Sequence, residues 1–380
     1  MIYEKRNIYL LFAIEWLQGM VFYSSVATLY RQNHGLTLVE MGLIESLFSI
    51  LVFILEIPMG YLCDRLGYKK TMMSCYGIYL LSKIVFYQAY GFSMFLLERL
   101  LLAITVSGLS GCDSAFLYLS TGKIENPRVF GYLHACGVAG MMMSSMAFSL
   151  WIHDMELAAL YTILPYFIAF LLSFFLEDIP MEGSSHMGIK DAFSLLYQQK
   201  RHILFLIASA LLLETTHTIS VFYSQLQWKA SHIPVVYFGL ISIFMTAIPL
   251  LGASLGKIIQ YIREKTLMFL LVFVSMITCI ILALSHHPYV SIAGIMILTL
   301  VEAFYSPLSQ SLMNQRVEGA LRVTMLSIYS MIMNMVGIVM NMSFGVAGDI
   351  NIQWVMILGG CFCFLSLLCL KRENQKNKEI

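Results

Sequence analysis

Glu214 and His217 stand one helical turn apart inside a long apolar run, and Glu302 lies near the middle of another. Glu15 and Asp113 occupy two further runs, and Arg99 begins one. An ionisable group at mid-bilayer costs roughly 2.5–3.5 kcal/mol on insertion scales, and such groups usually face a bundle interior or a watery path. A carboxylate withdrawn from water holds its proton more tightly. The four carboxylates and His217 therefore have the chemistry to bind and release a proton near neutral pH. The alternative is that each is a neutral, hydrogen-bonded packing group. Glu214-x-x-His217 also has the spacing used in diiron bundles, which need a second copy and more carboxylates. No His-Glu-x-x-His, Gly-x-Ser-x-Gly or phosphate-binding Gly-x-x-x-x-Gly-Lys-Ser/Thr occurs. The chain reads as neither an enzyme nor an ATP-driven pump; no cofactor is expected beyond a proton gradient, and no metal.

These residues need elements to hold them. The chain has 380 residues, 59% hydrophobic and 12% charged, too little charge for a water-soluble surface. A spanning helix takes roughly 20 apolar residues. Twelve such runs can be read, at about 8–30, 40–62, 71–90, 94–119, 129–151, 157–176, 203–225, 235–260, 266–285, 289–313, 323–346 and 353–370. The polar stretch from Glu177 to His202 divides them six and six. The expected architecture is an all-α membrane protein with 12 transmembrane helices in two six-helix bundles. Residues 1–176 and 203–370 form the bundles, 177–202 a cytoplasmic linker and 371–380 a cytoplasmic tail. Paired bundles of this kind carry internal repeats, and Gly252-Ala-Ser-Leu-Gly-Lys257 followed by Arg263-Glu-Lys265 reads as a degenerate copy of Gly60–Lys70.

The net charge of +1 gives no case for a nucleic-acid partner. With a cytoplasmic N-terminus, 19 of the 23 Lys and Arg fall in inner segments, the bias that sets membrane orientation. Both termini are then cytoplasmic, in a multi-pass protein of the cell membrane, with the lipid bilayer as partner and a monomer expected. The first run follows Lys5 and Arg6 as a secretion signal would. It is too long for one and lacks a small-residue cleavage site, so it is read as a retained helix. The eight cysteines lie in or at the inner ends of helices, and none forms Cys-x-x-Cys. They read as packing residues rather than a disulfide framework or zinc site.

Gly60 to Lys70 reads Gly-Tyr-Leu-Cys-Asp-Arg-Leu-Gly-Tyr-Lys-Lys. It resembles the loop between helices 2 and 3 of the major facilitator superfamily, Gly-x-Leu-x-Asp-Arg-x-Gly-x-Lys-Lys/Arg, at Gly60, Leu62, Asp64, Arg65, Gly67, Lys69 and Lys70. Glu56-Ile-Pro-x-Gly60, just before it, resembles a drug-exporter-like subset of that family. The resemblance implies a secondary transporter in which helices 1, 4, 7 and 10 line a central cavity. On that map helix 1 brings Glu15, Gln18 and Tyr23. Helix 4 brings Arg99 and Asp113, helix 7 Glu214 and His217, and helix 10 Glu302, Tyr305 and Ser309. It also implies that Asp64 faces the helix beginning near Val323–Thr324, with Gly60, Arg65, Gly67, Lys69 and Lys70 completing a conformational switch.

Spacing adds faces to these helices. Glu302, Tyr305, Ser306, Ser309 and Gln310 recur at i, i+3, i+4, i+7 and i+8, one side of a helix, so a polar-inward, apolar-outward stripe is expected, with a kink at Pro307. Glu15, Gln18, Gly19, Phe22, Tyr23, Val26 and Tyr30 form a similar stripe. Gly131, Gly137 and Gly140 offer small faces for close packing. Lys83 lies inside a helix with no partner identifiable in the sequence. The expected function is proton-coupled export of a small amphipathic or cationic compound, the acids outnumbering Arg99. Proton-symport uptake of a nutrient or metabolite and a non-transporting membrane sensor stand as alternatives.

Overall fold

A backbone crossing a bilayer must satisfy its amides within itself, and all regular structure among the described residues is helical. The computed structural model describes residues 2–110, 112–121, 127–178, 203–255, 261–315 and 322–376. The first half contains α1 (Ile2–Gly19), α2 (Ala27–Asn33), α3 (Leu38–Leu66), α4 (Tyr68–Gln88), α5 (Gly91–Leu109), α6 (Cys112–Ser120), α7 (Pro127–Ala147) and α8 (Met155–Ser173). The second contains α9 (Ile203–Thr218), α10 (Ser224–Ala230), α11 (Phe238–Ala247), α12 (Glu264–Leu284), α13 (Pro288–Gln315), α14 (Arg322–Ile350) and α15 (Ile352–Lys376). Most of the expected linker, residues 179–202, lies outside the described residues, as does the end of the tail.

Eleven helical stretches among the described residues are long and apolar enough to cross a membrane. The remaining expected span is α4. Its 21 residues give it the length, but Lys69, Lys70, Lys83 and several tyrosines lower its hydropathy.

Several expected single helices are interrupted. The first run stops at Gly19 and resumes through a 3-10 turn, Ser24–Val26, into α2. The fourth breaks at Ser110, whose ψ of 116° is not helical; a Ser-Gly pair is a known site of helix disruption. The seventh widens into a π turn, Ile219–Tyr223, directly after α9. The eighth tightens to 3-10 geometry at Ile248–Ser254, with Pro249 at its start. By contrast, α13 continues through Pro307.

The chain divides into two units. Unit 1 holds residues 1–36, 47–184 and 234–246; unit 2 holds residues 37–46, 185–233 and 247–380. In unit 1, Leu11, Ile14, Met72, Tyr76, Phe116 and Leu117 form an apolar core. In unit 2, Phe205, Leu212, Val272, Val301, Tyr305 and Leu308 do so. In lipid, helix association relies on close packing rather than on escape from water, so small residues at contacts matter most. A Cβ on Gly19 would collide with the carbonyl of Gly137, and one on Gly140 with the carbonyl of Trp16. The close packing expected of Gly137 and Gly140 is thus present, and the partner it is made with is α1. Gly131 has nothing within 4 Å of a built Cβ and takes no part.

Candidate functional site

In unit 2, α9 and α13 bring three ionisable groups together. His217 Nδ1 lies 3.1 Å from Glu302 Oε1, with the two side chains 53% and 28% exposed. Glu214, one turn before His217, is within electrostatic reach of both. Glu45, in the part of α3 that belongs to unit 2, also acts on His217. Three carboxylates thus act on one imidazole, with Glu302 in direct contact. Gly337 of α14 makes room for Glu214: a Cβ there would stand 2.9 Å from its carboxyl carbon. Thr218 is held by its hydroxyl, which donates to Asn341 Oδ1 at 3.2 Å. The π turn then begins at the next residue; such wide turns recur at functional sites.

Not every residue of the expected polar stripe shares this face. Tyr305 and Ser309 are both 0% exposed. The Tyr305 hydroxyl lies 3.3 Å from that of Ser209, and the Ser309 hydroxyl donates to the Ser306 carbonyl at 2.9 Å. Val301 and Leu308 pack into the same core. The inward face of α13 is therefore largely apolar, with Tyr305 embedded in it, and Glu302 lies on the flank. The inverted stripe expected from spacing is corrected: a tyrosine can bury its ring and satisfy its hydroxyl internally, so its presence did not mark the wet side.

Unit 1 carries a second acidic place. Glu15 of α1 lies against α7, where a Cβ on Gly137 would approach Glu15 Oε1 to 2.9 Å. Asp113, in the first turn of α6, is within electrostatic reach of Glu15. Gln18 contributes its backbone carbonyl, which accepts from the Tyr166 hydroxyl at 2.7 Å. Tyr23 belongs to a different group. Its hydroxyl accepts from Lys83 Nζ at 3.1 Å, and that ammonium lies 5.5, 5.0 and 4.9 Å from the ring centres of Tyr23, Tyr79 and Tyr166. Lys83 is only 5% exposed, so this cage supplies the partners that the sequence did not reveal, and Glu98 adds an opposite charge within reach. Arg99 Nε lies 3.7 Å from Glu98 Oε2, and its guanidinium carbon 5.5 Å from the Phe48 ring centre. Arg99 and Tyr23 are thus grouped with Lys83.

The Gly60–Lys70 motif is barely a loop. α3 continues through Leu66, and Gly67, at φ +85°, separates it from α4. Positive φ is the conformation in which glycine has no steric penalty. A Cβ at Gly67 would stand 3.6 Å from Asp178 Oδ1. The Arg65 guanidinium lies over Tyr61, 5.0 Å from the ring centre. Gly60 faces open space; Lys69 is partly exposed and Lys70 exposed. The side chains of Asp64 and of residues 322–328 lie outside the description, as does the expected Asp64 contact.

Among the described residues, no group of three His, Cys, Asp or Glu side chains is placed to hold a metal ion. An apolar groove of about 750 Å³ runs along α12 and α15, lined by residues such as Ile280, Gln353, Gly360 and Phe364. None of the acidic residues above lines it.

Two comparisons place this arrangement. The family model described as Major Facilitator Superfamily matches residues 8–342 and 240–380. The chain belongs to this superfamily. A sequence search of curated proteins gives no match. Among solved structures, the nucleoside transporter NupG superposes with a TM-score of 0.83 at 16% identity, over 98% of this chain and 99% of that one. The POT family transporter PepTSo gives 0.74 at 12%, covering 98% of each chain. A bacterial homolog of the human lysosomal transporter Spinster gives 0.68 at 13%, over 98% of this chain and 93% of that one. These relatives share the fold. This superfamily member is a multi-pass membrane transporter of a small molecule.

Proposed function

We propose that this transporter couples proton movement to export of a small cationic or amphipathic compound, as a drug-exporter-like antiporter of the cell membrane with cytoplasmic termini. The observation that carries the reading is the His217–Glu302 pair at 3.1 Å, with Glu214 one turn away. A histidine in hydrogen-bond contact with a carboxylate can hold a proton between the two and pass it on, the property a proton carrier needs. The surrounding acidic excess suits a cation as the second passenger. Glu302 and His217 hold the proton, Glu214 sets the local charge, and Glu15 with Asp113 forms a second acidic place in unit 1. The family's small charged turn at Gly67 fits an alternating-access cycle.

The test is transport into inverted vesicles under an imposed pH gradient, with lipophilic cations, nucleosides and short peptides run side by side. Cation accumulation abolished by a protonophore and lowered on the order of tenfold by Glu302→Gln supports the reading. Gradient-driven nucleoside or peptide movement in the opposite sense would replace export by uptake. Solute binding with no flux in either sense would move the chain to the sensor class.

A further inference from the structure

The start of α3 shows an unusual division of labour. The Thr37 amide donates to Glu40 Oε2 at 2.9 Å, and the Glu40 amide donates back to Thr37 Oγ1 at 3.2 Å. This reciprocal capping box satisfies two of the helix-start donors. It leaves the amides of Leu38 and Val39, which have no partner within their own helix. Asp349, near the end of α14, takes both. Leu38 N donates to its Oδ1 at 2.7 Å and Val39 N to its Oδ2 at 3.3 Å. A carboxylate at a helix start is further favoured by the helix dipole.

The approach depends on small residues. A Cβ on Gly345 would come within 2.9 Å of the Leu38 carbonyl and of Val39 Cα, and one on Gly42 within 2.5 Å of the Asn341 carbonyl. The Ser46 hydroxyl, two turns into α3, lies 3.2 Å from the Ile338 carbonyl. Gly337, Asn341, Gly345 and Asp349 recur every fourth residue, so they follow one ridge of α14. At one end of that ridge Gly337 abuts Glu214 and Asn341 holds Thr218. At the other, Asp349 holds α3. All these residues belong to unit 2, whereas α3 from Leu47 onward belongs to unit 1.

We propose that Asp349 is a latch of the transport cycle, a positioning residue that fastens the first turns of α3 to α14 and must let go when α3 moves. It rests on the reading of this chain as an alternating-access carrier. The Asp349 side chain itself reaches solvent, so water can replace it once the turn parts. This suits a contact that is made and broken.

Ser46 reports on the latch because it is 2% exposed against α14. The full chain would carry Ser46→Cys with its eight native cysteines replaced, and maleimide labelling would be timed in membranes. Asp349→Ala should speed labelling on the order of fivefold, the usual scale for a lost helix cap. Gly345→Ala should do the same without touching charge. Asp349→Asn, which keeps an acceptor oxygen, should recover most of the protection. Gly360→Ala, whose new Cβ would meet its nearest atom at 3.7 Å, should change nothing. Unchanged labelling in both Asp349→Ala and Gly345→Ala overturns the latch. Labelling needs neither solute nor gradient, so a failure of the proton-export reading is seen separately, in transport by Glu302→Gln.

Discussion

His217 and Glu302 meet at 3.1 Å across α9 and α13, from positions 85 residues apart in the chain. Both side chains are partly exposed, so their contact contributes little to stability. Glu302→Gln should therefore leave the thermal unfolding of the purified protein nearly unchanged while proton-driven transport falls on the order of tenfold, the scale of one charged hydrogen bond. A matching loss of folded protein would instead make the pair structural.

Gly337→Ala tests how closely Glu214 is fitted. The added methyl would stand 2.9 Å from the Glu214 carboxyl carbon, so the acid must swing away. Transport should fall and its dependence on external pH should shift, whereas expression and monodispersity should hold. An unaltered pH profile would show that the position of Glu214 does not matter.

Lys83 and Glu98 should prove coupled. Each is nearly inaccessible, at 5% and 1% exposure; losing Glu98 takes the carboxylate within reach of Lys83 away, and losing Lys83 leaves Glu98 with Arg99 alone. Lys83→Met and Glu98→Gln should each lower the unfolding temperature in detergent. The double variant should do better than their sum, by roughly 0.5–3 kcal/mol of interaction. Strict additivity would rule the coupling out.

Gly140→Val should damage the α1–α7 contact, because its side chain runs into the Trp16 carbonyl. Overpacking of this kind costs about 1–3 kcal/mol, seen as early thermal aggregation. Gly131→Val on the same helix has open space and should match the parent.

The spans and the family were legible because both rest on local information, apolar length and a short charged motif. Gly137 and Gly140 were legible for a similar reason: small residues in a bilayer helix point to contact. The meeting of His217 with Glu302 was foreseeable only as membership of one set of helices; its distance depends on packing that no single run encodes. Tyr305 misled because spacing records polarity but not whether a hydroxyl finds a partner inside. The breaks at Ser110 and in the first run had signals, a Ser-Gly pair and Gly19, that apolar continuity masked. Thr37-Leu-Val-Glu40 is a readable capping box. Asp349, more than three hundred residues away, could not be linked to it without coordinates. The π turn at Ile219–Tyr223 has no evident sequence mark.

The tyrosine cage around Lys83 also bears on how the protein is made. α4 is the expected span that falls short of the apolar standard, and a mid-helix lysine opposes entry into lipid. Two walls of the cage, Tyr23 and Tyr79, have already been synthesised when Lys83 emerges from the ribosome. The third, Tyr166, arrives only with α8. The cage that shelters Lys83 is therefore complete only once a segment more than eighty residues further along the chain is present.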